Sequence, residues 1–227
     1  MRKLIMKIEN IRACVFDAYG TLFDVNSAAA KCKKKLGSKW EGFANAWRTT
    51  QLEYTWLRSL MKKHKNFWEI TEDSLDHTME TFKIKKEMRN ELLDLYKKLN
   101  LYPEVKECLE GLKAKKIKIA ILSNGTPDLL KELVESNNIQ NYFDDIFSIE
   151  SVGIYKPDSR VYEMPIKKYD CKPENICFMS SNTWDISGGG VFGYSAVWVN
   201  RLNKVFDKLS YKPKNVINNL EELLKII

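Results

Sequence analysis

The sequence predicts an α/β protein with a Rossmann-like parallel sheet core, helices on both faces and an inserted helical cap. Two observations support this fold class. Short apolar runs alternate with amphipathic helical patterns, which is typical of strands joined by crossover helices. One long stretch after the first run has helical periodicity alone. The chain has 227 residues, 44% of them hydrophobic, which is enough for a large core domain and a smaller inserted domain.

Five strand-like runs mark the predicted sheet. They cover 13–16, 117–123, 146–149, 176–180 and 196–199, and the third is the weakest. Helical patterns separate most of these runs along the chain. Because parallel strands need a crossover connection, that alternation favours a parallel sheet covered by helices.

The stretch from 24 to 102 breaks the alternation and is predicted to be helical throughout. Trp40, Phe43 and Trp47 recur at helical spacing, and further helical patterns follow in 73–82 and 86–99. A new helix opens after Pro103 and returns the chain to the core. The predicted domains are a core of residues 1–23 and 103–227 and a helical cap of residues 24–102.

Proline and glycine residues bear on three of the predicted helices. Thr126 followed by Pro127 predicts a helix N-terminus. Pro165 falls inside a helical pattern from 158 to 169, where a proline costs about 3 kcal/mol, so we expect a kink or a late helix start. The glycines at 188–190 do not follow the first strand as a dinucleotide-binding fingerprint would, and we expect them to permit close helix packing.

Composition excludes several classes of function. The formal charge of +7 comes from lysine clusters scattered along amphipathic helices, which favours solvated faces over a nucleic-acid surface. The five cysteines lack CxxC spacing, so free thiols are expected, and the two histidines lack partners for a zinc site or a Ser/His triad. The apolar runs are too short to span a bilayer, and residues 1–10 lack a signal-peptide pattern. We therefore expect a cytoplasmic protein.

The chemistry of the chain is indicated first by a carboxylate. Asp17 directly follows the apolar run 13–16 and precedes a turn containing Gly20. Open α/β sheets bind their ligands at the carboxyl ends of their strands. A carboxylate delivered to that position has the placement of a catalytic nucleophile.

Other polar residues follow the remaining strand-like runs. Ser123 and Asn124 end the second run, Lys156 lies before Pro157, and the segment 180–185 ends the fourth run. Because the carboxyl ends of parallel strands meet at one edge, these residues are expected to share a cleft with Asp17.

Five segments carry a family resemblance. In chain order they read FDAYGTLFDV, WRTTQLEYTWLRSLM, LSNGTP, YKPDSRVY and SSNTWD. They are similar, over roughly the whole chain, to the type II L-2-haloacid dehalogenases of the haloacid dehalogenase superfamily. The resemblance implies hydrolytic dehalogenation of short-chain (S)-2-haloalkanoic acids to (R)-2-hydroxyalkanoic acids.

The resemblance assigns roles to the catalytic candidates. Asp17 displaces halide from C2 in an SN2 step, forming an ester that water hydrolyses, with inversion at C2. Lys156 keeps Asp17 ionised, and Arg48 receives the halide. Asp185 activates the hydrolytic water, with hydrogen bonds supplied by Thr21, Ser180 and Asn182.

The resemblance also implies a set of substrate-binding residues. They are Tyr19, Arg48, Phe67, Ser123, Asn124, Tyr162 and Trp184. Each has a plainer interpretation: a solvated charge for Arg48, turn formation for Ser123 and Asn124, and core packing for the aromatic residues. For Lys156, the plainer interpretation is a surface lysine in a loop.

The nucleophile loop departs from the pattern of the superfamily's phosphatases. Tyr19 stands where those enzymes carry a second carboxylate, and Ser181 and Asn182 stand where they carry acidic metal ligands. We therefore expect no metal and no cofactor, with a haloalkanoate as the small-molecule partner. A superfamily phosphatase and a non-catalytic carboxylate- or protein-binding homologue are the alternatives. The apolar surface of 52–61 is expected to form a homodimer through the cap helices.

Overall fold

The computed structural model describes residues 7–227 and contains a six-stranded sheet. All neighbouring strands pair in parallel, in the order β3-β2-β1-β4-β5-β6. The strands are β1 (Ala13–Phe16), β2 (Lys118–Ser123), β3 (Asp145–Ser148), β4 (Ile176–Ser180), β5 (Ser195–Val199) and β6 (Asn215–Ile217). The predicted α/β class is confirmed. The absence of a signal peptide was predicted from residues 1–10, of which 1–6 lie outside the described residues.

The strand β1 lies at the centre of the sheet although it comes first in the chain. All four of its residues are buried, and it pairs with β2 on one side and β4 on the other. From β1 the chain runs outward through β2 to β3, then crosses back and runs through β4 to β6. Crossover connections between parallel strands are right-handed. Strands added toward β3 and strands added toward β6 therefore have their connecting helices on opposite faces of the sheet. The order in which strands are added changes direction between β1 and β4.

We call residues 24–102 the helical insertion. Along the chain, five α-helices of this insertion lie between β1 and β2. They are α1 (Ser27–Lys31), α2 (Lys33–Leu36), α3 (Trp40–Leu60), α4 (Phe67–Phe82) and α5 (Arg89–Tyr96). The helix α3 packs on α4, and α1 packs on α5. A short 3-10 turn, Lys86–Met88, occupies the start of the helix predicted over 86–99.

The helix α4 begins six residues earlier than the pattern 73–82 indicated. The side chain of Asn66 accepts a hydrogen bond from the Glu69 backbone N–H, and the Glu69 side chain accepts one from the Asn66 N–H. This capping box satisfies two backbone donors that a helix start leaves free. The spacing Asn-x-x-Glu was therefore the sequence signal for the true start.

Four further helices cover the sheet. They are α6 (Val105–Ala114), α7 (Pro127–Ser136), α8 (Ser159–Tyr169) and α9 (Thr183–Phe192). The predicted start of α7 is confirmed, because the Thr126 side chain accepts a hydrogen bond from the Leu129 N–H. Among the residues that the structure describes, no helix is long and apolar enough to cross a membrane.

Pro165 lies inside α8, and the expected late start of this helix is wrong. The Asp158 side chain accepts a hydrogen bond from the Arg160 N–H, which fixes the helix start at Ser159, six residues before the proline. The apolar ring of Pro165 is buried. Close packing at the glycine run agrees with expectation, since a Cβ at Gly189 would lie 2.9 Å from the Phe178 ring. The five cysteines are free thiols, also as expected.

Candidate active site

The central strands bring Asp17 to the point where the sheet changes direction. Asp17 follows β1, and its backbone N–H donates to the carbonyl of Met179 in β4, at 2.9 Å. This is the crevice in which open α/β sheets bind ligands. The Asp17 side chain is nearly buried, with Asp17 5% exposed. A carboxylate there is poorly solvated and held by protein groups instead of water.

The two carboxylate oxygens of Asp17 have different surroundings. Oδ2 accepts three hydrogen bonds, from Asn182 Nδ2 at 2.8 Å, Thr21 Oγ1 at 3.1 Å and Ser180 Oγ at 3.3 Å. Oδ1 accepts one, from Lys156 Nζ at 3.2 Å. Oδ2 is held by three neutral donors, whereas Oδ1 accepts a single described bond, from an ammonium group. The two oxygens therefore differ in how many of their lone pairs are occupied.

Lys156 is a fully buried ammonium group between two carboxylates. Its Nζ lies 2.9 Å from Asp185 Oδ2 as well as 3.2 Å from Asp17 Oδ1, and its exposed fraction is 0%. The Asn124 side-chain oxygen accepts the Lys156 backbone N–H at 3.1 Å, which fixes the loop that carries it. The interpretation of Lys156 as a surface loop residue is therefore wrong. Its positive charge is the counter-charge of both carboxylates.

Asp185 is fully buried on the first turn of α9. Burial raises the pKa of Asp185 to about 6, the Lys156 ammonium opposes that rise, and the nearby Asp17 charge adds to it. The Tyr162 hydroxyl donates to Asp185 Oδ1 at 2.8 Å. Burial and the Asp185 charge raise the pKa of Tyr162 well above its usual value, so this hydroxyl stays a donor. A carboxylate with a pKa near 6 is well suited to general-base work near neutral pH.

The loop after β1 is fixed from two sides. Thr21 Oγ1 accepts the Ser181 N–H at 2.9 Å, and the Thr21 carbonyl accepts from Arg201 Nη2 at 2.8 Å. Arg201 also pairs with Glu104 and lies over the Tyr102 ring, 4.0 Å from its centroid. Sequence reasoning missed Arg201, although it follows β5 as the other site residues follow their strands.

A cleft of about 490 Å³ separates the helical insertion from this edge of the sheet. Its lining includes Gly20, Arg48, Leu52, Asn182, Trp184 and Arg201. Arg48 is half-buried on α3 and donates from Nη1 to Gln51 Oε1 at 2.8 Å. The structure thus brings the predicted arginine of the insertion to the same cleft as Asn182.

Aromatic side chains pack between the helical insertion and the loop after β1. The Tyr19 ring lies 5.0 Å from that of Phe67 and 5.8 Å from that of Tyr96, measured between centroids. The Tyr19 hydroxyl is buried without a hydrogen-bond partner among residues 7–227. Burial raises the pKa of Tyr19 well above its usual value, so the hydroxyl is a free donor. Trp184 packs edge-on against Trp56, at 5.4 Å.

Three of the predicted hydrogen-bonding residues surround Asp17. The described bonds from the side chains of Thr21, Ser180 and Asn182 to a carboxylate go to Asp17 Oδ2. The reason is the pairing of β1 with β4, which sets residue 17 beside residue 180. The Ser123 hydroxyl accepts the Gly125 N–H at 3.0 Å and so forms the turn before α7.

The donor groups of this site can be compared with those of metal centres. Within residues 7–227, no group of three His, Cys, Asp or Glu side chains is placed to hold a metal ion. The position between Asp17 and Asp185 is taken by the Lys156 ammonium. The two carboxylates therefore have a side-chain cation as their counter-charge.

This fold and site define a class of protein. Residues 11–193 match the family model of the haloacid dehalogenase-like hydrolases. The chain belongs to the haloacid dehalogenase-like hydrolase family, as the sequence segments predicted.

Similar proteins narrow the comparison to one branch of that family. (S)-2-haloacid dehalogenase 1 of Pseudomonas sp. (strain CBS-3) is 40% identical over 223 residues, covering 97% of this chain and 98% of that protein. A solved dehalogenase structure superposes with a TM-score of 0.95 at 36% identity, covering 97% of this chain and 98% of that one. The structure of the L-2-haloacid dehalogenase from Xanthobacter autotrophicus with chloropropionic acid covalently bound gives a TM-score of 0.88 at 31% identity, covering 95% and 97%.

Proposed function

We propose that this protein is an (S)-2-haloacid dehalogenase, a hydrolase acting on carbon–halide bonds. It converts short-chain (S)-2-haloalkanoic acids to (R)-2-hydroxyalkanoic acids through an aspartyl ester, without a metal or cofactor. The observation that carries the proposal is the asymmetry of Asp17, with one oxygen held by three neutral donors and the other beside Lys156. The similarity to (S)-2-haloacid dehalogenases over nearly the whole chain supports it.

In the first step, Asp17 Oδ1 attacks C2 of the substrate. The new O–C2 bond forms as the carbon–halogen bond breaks, and the halide leaves with the bonding electrons. Attack from the side opposite the halogen inverts C2. The Lys156 ammonium lies 3.2 Å from Oδ1 and pairs with the Asp17 carboxylate, while burial leaves the carboxylate few water molecules to shed.

The leaving halide and the substrate carboxylate need separate donors. Arg48, Asn182 and Trp184 line the cleft and are assigned to the halide. Phe67, which packs against Tyr19, is assigned to the same role. The carboxylate is assigned to Ser123 and Asn124, which precede the N-terminus of α7, and to the free Tyr19 hydroxyl. Backbone N–H groups at a helix start favour an anion there.

In the second step, water attacks the carbonyl carbon of the Asp17 ester. Asp185 accepts the proton of that water as general base. Negative charge develops on Oδ2, where Asn182, Thr21 and Ser180 already donate. Collapse of the intermediate breaks the bond between the Asp17 carbonyl carbon and Oδ1, and Oδ1 takes the proton held by Asp185 and leaves as the hydroxyl oxygen of the hydroxy acid. The oxygen of the water replaces it, and the remaining proton of the water is released to solvent as the Asp17 carboxylate is restored.

The proposal extends to the assembly and location of the enzyme. Residues 24–102 act as the cap domain that closes the cleft, on a core of 1–23 and 103–227. A homodimer through the cap helices is supported by three exposed apolar side chains near the end of α3: Leu57, Leu60 and Met61. We place the enzyme in the cytoplasm, with no nucleic-acid or membrane partner. Sedimentation of wild type and Leu60→Lys tests the dimer, and a monomeric wild type would contradict it.

The function is tested by halide release from the separate enantiomers of 2-chloropropanoate, with and without excess EDTA. We expect chloride from the (S) form alone, unchanged by EDTA, and (R)-lactate as product. Asp17→Asn should be inactive yet folded, because the amide keeps the shape but cannot act as nucleophile. Magnesium-dependent release of phosphate from a phosphate ester, without chloride release, would overturn the proposal in favour of a phosphatase. No turnover of either compound would indicate a binding protein.

A further inference from the structure

A buried hydrogen-bond network lies behind Arg48 and joins three helices of the insertion. Gln51 is 1% exposed and sits one turn after Arg48 on α3. Its Oε1 accepts from Arg48 Nη1 at 2.8 Å. Its Nε2 donates to Thr71 Oγ1 on α4 at 2.7 Å and to the Tyr96 hydroxyl on α5 at 3.0 Å.

The direction of these bonds fixes the orientation of the Gln51 amide. The Thr71 hydroxyl donates its single proton to the Phe67 carbonyl, at 2.7 Å. Toward Gln51 it can then act only as an acceptor, so it must face the amide nitrogen. The amide oxygen consequently points at Arg48. A chain of hydrogen bonds therefore runs from the Arg48 guanidinium, its first donor, to the Phe67 carbonyl of α4, its last acceptor.

Arg48 differs from most of the arginines that the structure describes. Four of the six pair with carboxylates: Arg58 with Asp73, Arg89 with Asp76, Arg160 with Asp158, and Arg201 with Glu104. The exposed Arg12 and the half-buried Arg48 do not. Arg48 has no carboxylate partner within residues 7–227, and its side-chain bond goes to the neutral Gln51. A carboxylate would fix the guanidinium equally well but would also cancel its charge.

We propose that Gln51 is a positioning residue that orients the Arg48 guanidinium toward the cleft while leaving its positive charge uncompensated for an anion. The inference rests on the proposed function, in which that anion is the departing halide. Gln51 acts through Arg48 and does not touch the reacting atoms. Its neutrality is the property that matters, because a half-buried cation without a counter-ion attracts a halide more strongly than a paired one.

The test uses Gln51→Glu, which keeps the shape of the side chain and adds one negative charge. The readout is binding of bromide to the full-length protein, measured by calorimetry without substrate. We expect the dissociation constant for bromide to rise by roughly tenfold or more, since each 1.4 kcal/mol is a factor of ten. Gln140→Glu is the matched control, because Gln140 is exposed in the turn before β3 and the charge change is the same. It should bind bromide like the wild type.

A cycle with Arg48→Ala separates positioning from a merely structural role. If Gln51 acts through Arg48, Gln51→Glu should change bromide binding no further in the Arg48→Ala background. Unchanged bromide affinity in Gln51→Glu would overturn the inference, as would a wild type that binds no bromide. Gln51→Met, which removes the acceptor without adding charge, should also weaken bromide. The proposed function fails separately, through absent chloride release by wild type, so the two failures are distinguishable.

Discussion

Replacing Tyr162 with phenylalanine should move the pH dependence of the reaction upward. The Tyr162 hydroxyl donates to Asp185 Oδ1 at 2.8 Å and so favours the ionised form of that carboxyl. A hydrogen bond to a charged group contributes about 1.5–3 kcal/mol, and one pKa unit corresponds to about 1.36 kcal/mol. Losing this bond should therefore raise the pKa of Asp185 by about one to two units, from about 6 to about 7–8.

The sign of the effect follows from the proposed role of Asp185 as a base in the second step. The base works only when ionised, and it acts after the halide has left, so kcat should fall as the pH drops through the pKa of Asp185. The assay is chloride release from saturating (S)-2-chloropropanoate between pH 5 and pH 9, fitted for the acid limb of kcat. Wild type should show that limb near pH 6, and Tyr162→Phe should show it about one to two units higher.

The control is Tyr169→Phe, which removes a similar bond from a tyrosine to a carboxylate away from the site. The Tyr169 hydroxyl donates to Asp145 Oδ2 at 2.9 Å. The acid limb of Tyr169→Phe should lie at the same pH as that of the wild type. An acid limb in Tyr162→Phe that is unmoved or lower would refute the assignment of Asp185 as a base tuned by Tyr162.

Three further substitutions test a charge pairing in the site, the packing of the site and the packing of α3. Lys156→Met should abolish chloride release and lower the free energy of unfolding by about 3–5 kcal/mol, because two buried carboxylates then lose their cation; unchanged urea unfolding would contradict this. Gly125→Ala should lower the free energy of unfolding by about 1–3 kcal/mol and raise KM, because the new Cβ would lie 2.9 Å from the Tyr19 ring. A KM equal to that of the wild type would contradict this prediction. Gly42→Ala, on α3 with its nearest contact at 3.4 Å, should instead gain about 1 kcal/mol in thermal unfolding, and a loss there would show a clash.

The central strands and the catalytic groups were predictable from the sequence because each carries a local signal. The strands β1 and β4 have the predicted bounds, β2 and β5 differ from prediction by one residue at their start, and β3 lies one residue earlier at both ends. Asp17 follows β1 and Asp185 follows β4. The rule that the carboxyl ends of parallel strands meet at one edge of the sheet therefore placed both residues at that edge. The strand β6, Asn215–Ile217, was missed because three residues are too short to show a pattern.

The supporting residues were not predictable because their signals are tertiary. Gln51 looks like any polar residue on a helix until the fold sets it beside Thr71 and Tyr96. Arg201 acquires its role from a bond to a backbone carbonyl 180 residues earlier in the chain. The raised pKa of Asp185 depends first on complete burial, which no spacing of residues reveals.

The central position of β1 has a consequence for synthesis of the protein in the cell. This strand leaves the ribosome first, yet its hydrogen-bonding partners begin at Lys118 and Ile176. At about 5–20 residues per second, its second edge stays without a partner for roughly ten to thirty seconds. An apolar strand with a free edge is a template for association with other chains. Slower synthesis of the segment between β1 and β4 should therefore lengthen the time during which β1 is open to association with other chains.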